Sequence, residues 1–148
     1  MIAPTIRLAT DADGPAIGKL FSEANLADLG VDWQRSGIKS WWLVAEREDR
    51  VVGALQVAAA VPFGFVGDCV LASSEKGRGA AGHGRLSARP AHAAFLLYAM
   101  AFELMRRNGT QIALGITDQP GLKKMLTRYG GQTVGDNFTL FAKRLTKS

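Results

Sequence analysis

The sequence has few of the residues that form disulfides and metal clusters. It contains one cysteine, Cys69, and two histidines among 148 residues. An internal disulfide and a cysteine-rich zinc site are therefore excluded. Neither His83 nor His92 stands at metal-ligand spacing from carboxylates or from Cys69, so we predict no metal site. The motifs of a serine-hydrolase elbow and of a nucleotide phosphate loop are absent as well.

Long apolar runs are also missing. The longest weakly polar stretch, Val51–Gly67, is interrupted by Gln56, Pro62 and two glycines, and it falls short of a membrane span. The opening segment, Met1–Arg7, has neither the basic start nor the apolar block of an export signal. These absences predict a cytoplasmic protein with no membrane segment.

Apolar residues make up 47% of the chain and charged residues 21%, which is sufficient for a packed core. A length of 148 residues suits one domain, so we predict a single domain over residues 1–148. Basic residues are concentrated in the second half: residues 1–72 carry 6 Lys/Arg and 9 Asp/Glu, a net −3, and residues 73–148 carry 12 and 4, a net +8. The second half either faces an anionic ligand or presents a solvated basic surface.

Residue periodicity predicts an alternation of strands and helices. Apolar alternation and runs typical of strands cover Ile6–Ala9, Trp41–Ala45, Val51–Val57, Phe65–Leu71, Gln111–Ile116, Thr133–Val134 and Phe138–Ala142. Helical spacing covers residues 17–24, 26–39, 90–108 and a short segment from Pro120. This order predicts an α/β (α+β) fold, a mixed sheet with helices on both faces.

Two neighbouring segments of the second half differ sharply. Residues 73–89 are rich in glycine and lack large apolar side chains until Leu86, which predicts a long loop. Residues 90–108 carry apolar side chains on nearly every helical face, which predicts a helix buried on several sides. Pro90 suits the first turn of this helix, and Gly109 suits the position after its end.

The order of elements and several local signatures resemble the Gcn5-related N-acetyltransferase (GNAT) superfamily over nearly the whole chain. The resemblance is carried by the opening Ile6–Asp13 before an amphipathic helix, the hairpin with Val51-Val52-Gly53, and the apolar helix ending at Gly109. An apolar strand and a short helix before Gly130 follow, as in the family. The resemblance implies a mostly antiparallel central sheet and acetyl-coenzyme A (acetyl-CoA) as cofactor.

The family holds the cofactor diphosphate at a Gln/Arg-x-x-Gly-x-Gly/Ala motif, where the unpaired amides of a helix start bind anions. That motif aligns with residues 89–94, in which Arg89 and Ala94 match and His92 replaces the glycine. The cofactor-binding residues that the resemblance implies are Arg89, Ala91, His92, Ala93 and Ala94, together with Asp118 in place of the family's asparagine. Two alternatives remain: an ordinary start of a buried helix, or anion binding by amides of the glycine-rich stretch with Arg78.

The catalytic side of the family pattern is less complete. The tyrosine that serves many members as general acid aligns with Leu126, so the nearby Tyr129 is the candidate acid, with core packing as its alternative role. The family's general base often lies on the fourth strand, where Asp68 is the candidate carboxylate. Such a base accepts the proton of the attacking amine; the alternative is that Asp68 is only a turn residue.

The resemblance implies an acetyl-CoA-dependent N-acetyltransferase that acts on a primary amine of a small molecule or a protein. The alternative is a catalytically inactive GNAT-fold binding or structural protein, suggested by His92 and Leu126 at motif positions. We do not expect nucleic-acid binding, because the basic stretch 76–89 has no aromatic residue for stacking. A homodimer is a further expectation if the apolar segment Phe138–Ala142 forms an exposed sheet edge.

Overall fold

A computed structural model describes residues 2–24, 39–75, 92–117, 124, 127–128, 130, 132–134 and 139–145. The elements in chain order are β1 (Thr5–Leu8), a short 3-10 helix (Asp11–Asp13), α1 (Gly14–Glu23), β2 (Lys39–Arg47), β3 (Arg50–Ala59), β4 (Phe63–Leu71), α2 (Ala93–Arg107), β5 (Ile112–Thr117), β6 (Gln132–Val134) and β7 (Thr139–Arg144). The predicted strands are all present, most of them one to three residues longer than the periodicity indicated.

The described strands form one seven-stranded sheet in the order β1-β2-β3-β4-β5-β7-β6. Neighbouring strands are antiparallel except β4 and β5, which run parallel. A parallel pair needs a long crossover connection, and α2 lies within that connection. The element order predicted a mixed sheet, and the mostly antiparallel pairing is the one that the resemblance implied; both are confirmed.

Helices cover both faces of this sheet, which defines an α1 face and an α2 face. The α1 face buries Leu20 and Phe21 of the helix against Val44, Ala54 and Val70 of the strands. The α2 face buries Leu97, Tyr98, Ala101, Phe102 and Met105 of the helix with Leu43, Leu55 and Val57 of the strands. Adjacent strand residues point to opposite faces, so each central strand contributes to two cores.

The β2–β3 connection confirms the predicted hairpin. Glu48 and Asp49 form a two-residue turn with positive φ angles of 48° and 59°. Left-handed turns of this kind match the twist of the flanking strands. The polar turn residues therefore join two strands whose apolar side chains are buried.

The helix α2 begins later than the sequence predicted. His92 has extended backbone angles (φ −79°, ψ 128°) and is the N-cap, so the first helical residue is Ala93; Pro90 lies outside the described residues. The prediction that the helix is buried on several sides is also wrong. The helix rests on one sheet, its fully buried residues follow one stripe, and Met100 on another side is 41% exposed. Gly109 has a φ of 86° and confirms the predicted helix end.

The last strand corrects the expected sheet edge. β7 pairs with β5 on one side and β6 on the other, so Thr139–Ala142 lie inside the sheet. The backbone groups of this strand are used within the chain, and the argument for dimer formation through it no longer holds.

Several predictions fall on parts of the chain that are not described. The helical segment predicted over 26–39 lies outside the described residues except for Lys39, which starts β2, and residues 76–89 lie outside them altogether. A short helix was predicted to start at Pro120. Its described residues are helical, namely Lys124, Thr127 and Arg128. None of the described helices is both long and apolar enough to cross a membrane.

Candidate functional site

A gap opens between the carboxyl ends of the two parallel strands. The strands β4 and β5 pair from Phe63–Ile112 to Val66–Gly115, and their pairing stops there although both are described to their ends. Beyond that point β4 continues along β3, and β5 continues along β7. Crevices at the carboxyl ends of parallel strands are common ligand sites, so this gap is the candidate site.

A β-bulge in β4 marks the place where the gap begins. Leu55 pairs with Cys69 and Val57 pairs with Val66, so the two residues Gly67 and Asp68 lie opposite one residue of β3. Bulges bend a strand and redirect its side chains. A Cβ atom on Gly67 would lie only 2.8 Å from Oε1 of Gln56, so glycine leaves room for the Gln56 side chain opposite the bulge.

The structure places the predicted base, Asp68, in this bulge, on the fourth strand of the chain. Its side chain is exposed, so it is accessible to an acceptor molecule at the gap. The buried hydroxyl of Tyr98 on α2 lies near it: burial raises the pKa of Tyr98 well above its ordinary value, and nearby Cys69 and Asp68 raise it further. Periodicity identified Tyr98 only as an apolar-face residue; its position behind the bulge depends on the strand register.

The N-terminus of α2 lies at the same end of the sheet as the gap. A methyl group on Gly53, which pairs with Leu71 at the end of β4, would be 3.2 Å from Cδ1 of Leu97. At the other end of β4, the corresponding atom on Gly64 would be 2.6 Å from Cε of Met105. The helix therefore runs antiparallel to β4, and its first amides are close to the open end.

The side chain of His92 caps this helix. Its Nδ1 accepts a hydrogen bond from the backbone N–H of Ala94 at 3.2 Å. The residue is only 7% exposed, and its Nε2 makes no hydrogen bond of good geometry in the described part of the chain. Burial lowers the pKa of His92; the charge of the Glu75 carboxylate and a hydrogen bond with the Glu75 backbone act in the opposite direction, and the Arg47 guanidinium lowers it again. The imidazole is therefore neutral at neutral pH.

A buried ion pair lies beside the histidine. Nε of Arg47 on β2 is 2.7 Å from Oε1 of Glu75, and Nη2 is 3.3 Å from Oε2. Arg47 also donates to the backbone carbonyl of Ile2. The Glu75 side chain is 2% exposed and that of Arg47 14%. We refer to Arg47, Glu75 and His92 as the α2-face cluster, which connects β2, the helical residues 73–75 after β4 and the start of α2.

A second charged cluster lies on the other face at this end of the sheet. Arg7 donates to the two carboxylate oxygens of Asp13 at 2.8 and 2.9 Å and to Glu46 at 2.7 Å. These hydrogen bonds hold the pKa of Asp13 well below its ordinary value, and its bond from the Thr10 backbone N–H has the same effect. The three side chains, called the α1-face cluster below, line part of a cavity of about 490 Å³.

The structure thus brings together part of the predicted site. Asp68 lies at the gap, and His92, Ala93 and Ala94 form the helix start at the same end of the sheet. The other predicted positions, Arg89, Ala91, Asp118 and Tyr129, lie outside the described residues. The sequence did not indicate the Arg47–Glu75 pair, because its two members are 28 residues apart and neither belongs to a recognisable motif.

Comparison with known proteins identifies the fold. No protein-family model matches the sequence, and no curated protein matches it significantly. The structure is similar to ribosomal-protein-alanine N-acetyltransferase from Brucella melitensis, with 21% identity, a TM-score of 0.66, and coverage of 95% of this chain and 99% of the other.

Two ligand-bound structures are also similar. YncA from Salmonella typhimurium, solved with its cofactor acetyl-CoA, has 16% identity, a TM-score of 0.72, and coverage of 99% of this chain and 96% of the other. The GNAT family N-acetyltransferase YhbS from Escherichia coli, in complex with CoA, has 16% identity, a TM-score of 0.70, and coverage of 99% and 83%. These similarities extend over nearly the whole chain, and the protein has the fold of the Gcn5-related N-acetyltransferase superfamily.

Proposed function

We propose that the protein is an acetyl-CoA-dependent N-acetyltransferase that transfers an acetyl group to a primary amine of a small molecule or a protein. The observation that carries this proposal is the gap between β4 and β5, which opens at the end of the sheet where α2 begins. Similar structures bind acetyl-CoA, in YncA, and CoA, in YhbS, which supports the same ligand class here.

The residues at the start of α2 fit a diphosphate in most respects. Ala93 and Ala94 add little bulk around the first helical amides, and the helix dipole favours an anion at this end. The buried Nε2 of His92 is a polar atom whose hydrogen bonding the described residues do not satisfy. One feature opposes binding: the Ala94 amide already donates to the imidazole. Ala93, Ala94 and His92, with Arg89 and Ala91 before them and Asp118 after β5, are the residues proposed to hold the cofactor.

Bound acetyl-CoA would supply the acetyl group in activated form, as a thioester. We assign Asp68 the role of general base, because its exposed carboxylate lies in the bulge at the gap. An amine attacks a carbonyl carbon only when it is neutral, so a carboxylate that accepts its proton promotes attack. Tyr129 remains the proposed proton donor to the departing thiolate.

The proposal is tested by calorimetric titration of the protein with acetyl-CoA, followed by an assay of thiol release with a panel of small amines and peptides. We expect saturable binding at one site and thiol release with at least one amine. The absence of both heat and thermal stabilisation would contradict the proposal.

Replacement of the proposed base gives a sharper test. Asp68→Asn should lower kcat about 100-fold, the lower end of the usual contribution of acid–base catalysis, and leave acetyl-CoA affinity unchanged. Asp49→Asn is the matched control, because Asp49 is also an exposed carboxylate but lies in the β2–β3 turn. Equal activity of the two variants would exclude Asp68 as the base.

The alternative is a GNAT-fold binding or structural protein without catalytic activity. It is favoured by one observation: the imidazole of His92 occupies the Ala94 amide that an anion would use. Acetyl-CoA binding without thiol release across the amine panel supports this alternative, whereas thiol release with any amine excludes it.

A further inference from the structure

The start of α2 combines two features of one side chain, His92. A buried side chain uses one of its ring nitrogens to cap the helix, and its other ring nitrogen has no partner in the described part of the chain. A neutral imidazole that accepts at Nδ1 carries its proton on Nε2. The Nε2–H group of His92 is therefore a buried donor that faces the Glu75 backbone but makes no hydrogen bond of good geometry with the described residues, which costs free energy.

The cap and a bound anion compete for the same group. A backbone N–H has one hydrogen, and a strong, well-aligned hydrogen bond uses it for one acceptor. The amide of Ala94 now donates to His92 at 3.2 Å, at the longer end of the usual range for such bonds. A phosphate oxygen, which is charged, is a stronger acceptor than a neutral ring nitrogen.

Resting on the function proposed above, we propose that His92 is a displaceable cap: its imidazole holds the Ala94 amide in the free protein, gives this amide up to the cofactor diphosphate, and then binds a proton at Nδ1. His92 is thus a positioning residue of the cofactor site, whose protonation is coupled to binding of the anion.

The surroundings of the ring support this coupling. The charged groups that face it are Glu75, in the helical residues 73–75 after β4, and Arg47 on β2. These two groups neutralise each other through hydrogen bonds of 2.7 and 3.3 Å, so their net effect on an imidazolium is small. In the free protein, protonation at Nδ1 would break the cap, because a protonated nitrogen cannot accept a hydrogen bond. Beside a bound diphosphate, the positive charge is favourable.

Proton uptake by His92 would make the affinity for CoA depend on pH. Uptake of one proton with the ligand raises affinity by up to about tenfold for each pH unit of decrease, between the pKa values of His92 in the free and bound states. The wild-type protein should therefore bind CoA more tightly as the pH falls through the range in which histidine titrates.

The experiment is calorimetric titration with CoA across this pH range, in two buffers that differ in ionisation enthalpy, which yields the number of protons taken up. His92→Asn is the matched variant: asparagine also caps helices well but does not titrate. Proton uptake by this variant on binding therefore measures the contribution of the CoA phosphates alone. We expect the wild type to take up more protons than His92→Asn, by as much as one. At a pH at which His92 of the wild type is neutral, His92→Gly, which has no capping side chain, should bind CoA several-fold more tightly than His92→Asn.

A spectroscopic readout is independent of activity. The imidazole Cε1–H resonance of His92 is assigned by its absence in His92→Asn, and we expect its titration midpoint to move to higher pH when CoA binds. Thermal unfolding of each variant establishes that it is folded. Equal proton uptake by wild type and His92→Asn, or an unmoved midpoint, would overturn this inference but leave the proposed function standing. Failure of all the folded proteins to bind CoA would overturn the proposed function, and the inference with it.

Discussion

Two charged clusters lie at one end of the sheet, and each contains an arginine bonded to a carboxylate. They differ in burial and in how far their polar atoms are hydrogen-bonded. Consecutive residues of β2 contribute one member to each, because Glu46 bonds to Arg7 on the α1 face and Arg47 bonds to Glu75 on the α2 face. The α1-face cluster is the more exposed of the two, and its members satisfy one another. The α2-face cluster is more deeply buried, yet Nε2 of its third member, His92, lacks a partner among the described residues.

This difference separates a structural role from a functional one. A network of charged hydrogen bonds fixes β1, the 3-10 helix and β2 relative to each other, and each of its three side chains has a charged partner within the network. A buried cluster with an unsatisfied polar atom is costly for the folded protein. Such costs are expected where a protein binds something, and the α2-face cluster lies at the end of the sheet where the β4–β5 gap opens.

The largest expected effect comes from removing one carboxylate from each cluster. Glu75→Gln should lower the free energy of unfolding by about 3 kcal/mol, because it leaves the buried Arg47 guanidinium without the charge that neutralises it. Asp13→Asn should cost about 1–2 kcal/mol, since Arg7 is partly exposed and keeps Glu46. Urea denaturation of both variants gives the comparison. A smaller loss for Glu75→Gln than for Asp13→Asn would reverse the proposed order.

A second test compares a tightly packed glycine of the sheet with an exposed glycine of α1. Gly64→Ala should lower the free energy of unfolding by about 2 kcal/mol, because the new Cβ would lie 2.8 Å from Thr110 Cγ2 and 2.9 Å from the Ala58 carbonyl oxygen on the α2 side. Gly18→Ala in α1 meets nothing within 4 Å, and it should stabilise the protein by about 0.5–1 kcal/mol through helix propensity. Thermal and urea unfolding measure both. A neutral Gly64→Ala would show that the α2 face can relax.

The smallest expected effect concerns the pH range in which each cluster loses its contribution to folding stability. His92 has a lowered pKa in the folded protein, so the unfolded chain binds its proton first, and stability falls as the pH decreases below about 6.5. Loss of the cap sets the scale of this change at about 1 kcal/mol. The lowered pKa of Asp13 acts in the same direction but only below about pH 4.

Urea denaturation as a function of pH separates these contributions. His92→Asn should lose less stability than the wild type over the higher range, and Asp13→Asn should lose less over the lower one. If the stability of His92→Asn depends on pH in the same way as that of the wild type, the pKa of His92 does not differ between the folded and unfolded states.

Local signals in the sequence predicted most of the fold. Alternating apolar residues identified the strands, and the polar residues between Trp41–Ala45 and Val51–Val57 predicted the hairpin. Gly109 marked the end of α2 because a residue with positive φ is needed there. These features depend on residues that are close together in the sequence. The periodicity of the sequence is therefore sufficient to predict them.

The errors occurred where distant segments meet. The sequence suggested a helix start at Pro90, but the cap is His92, and propensity alone does not show which side chain folds back onto an amide. It suggested an exposed edge near the C-terminus, but β7 inserts between β5 and β6. Strand order depends on tertiary pairing that a single strand does not encode.

The sequence by itself determined the element types, the two-sided core and Asp68 on the fourth strand, because helix and strand periods and turn chemistry are short-range properties. The tertiary structure alone decided the gap between β4 and β5, the bulge at Gly67–Asp68 and the contact of Glu75 with Arg47. Each of these depends on the register between segments far apart in sequence. That register is fixed because both faces of the sheet must bury their apolar side chains, one against α1 and the other against α2.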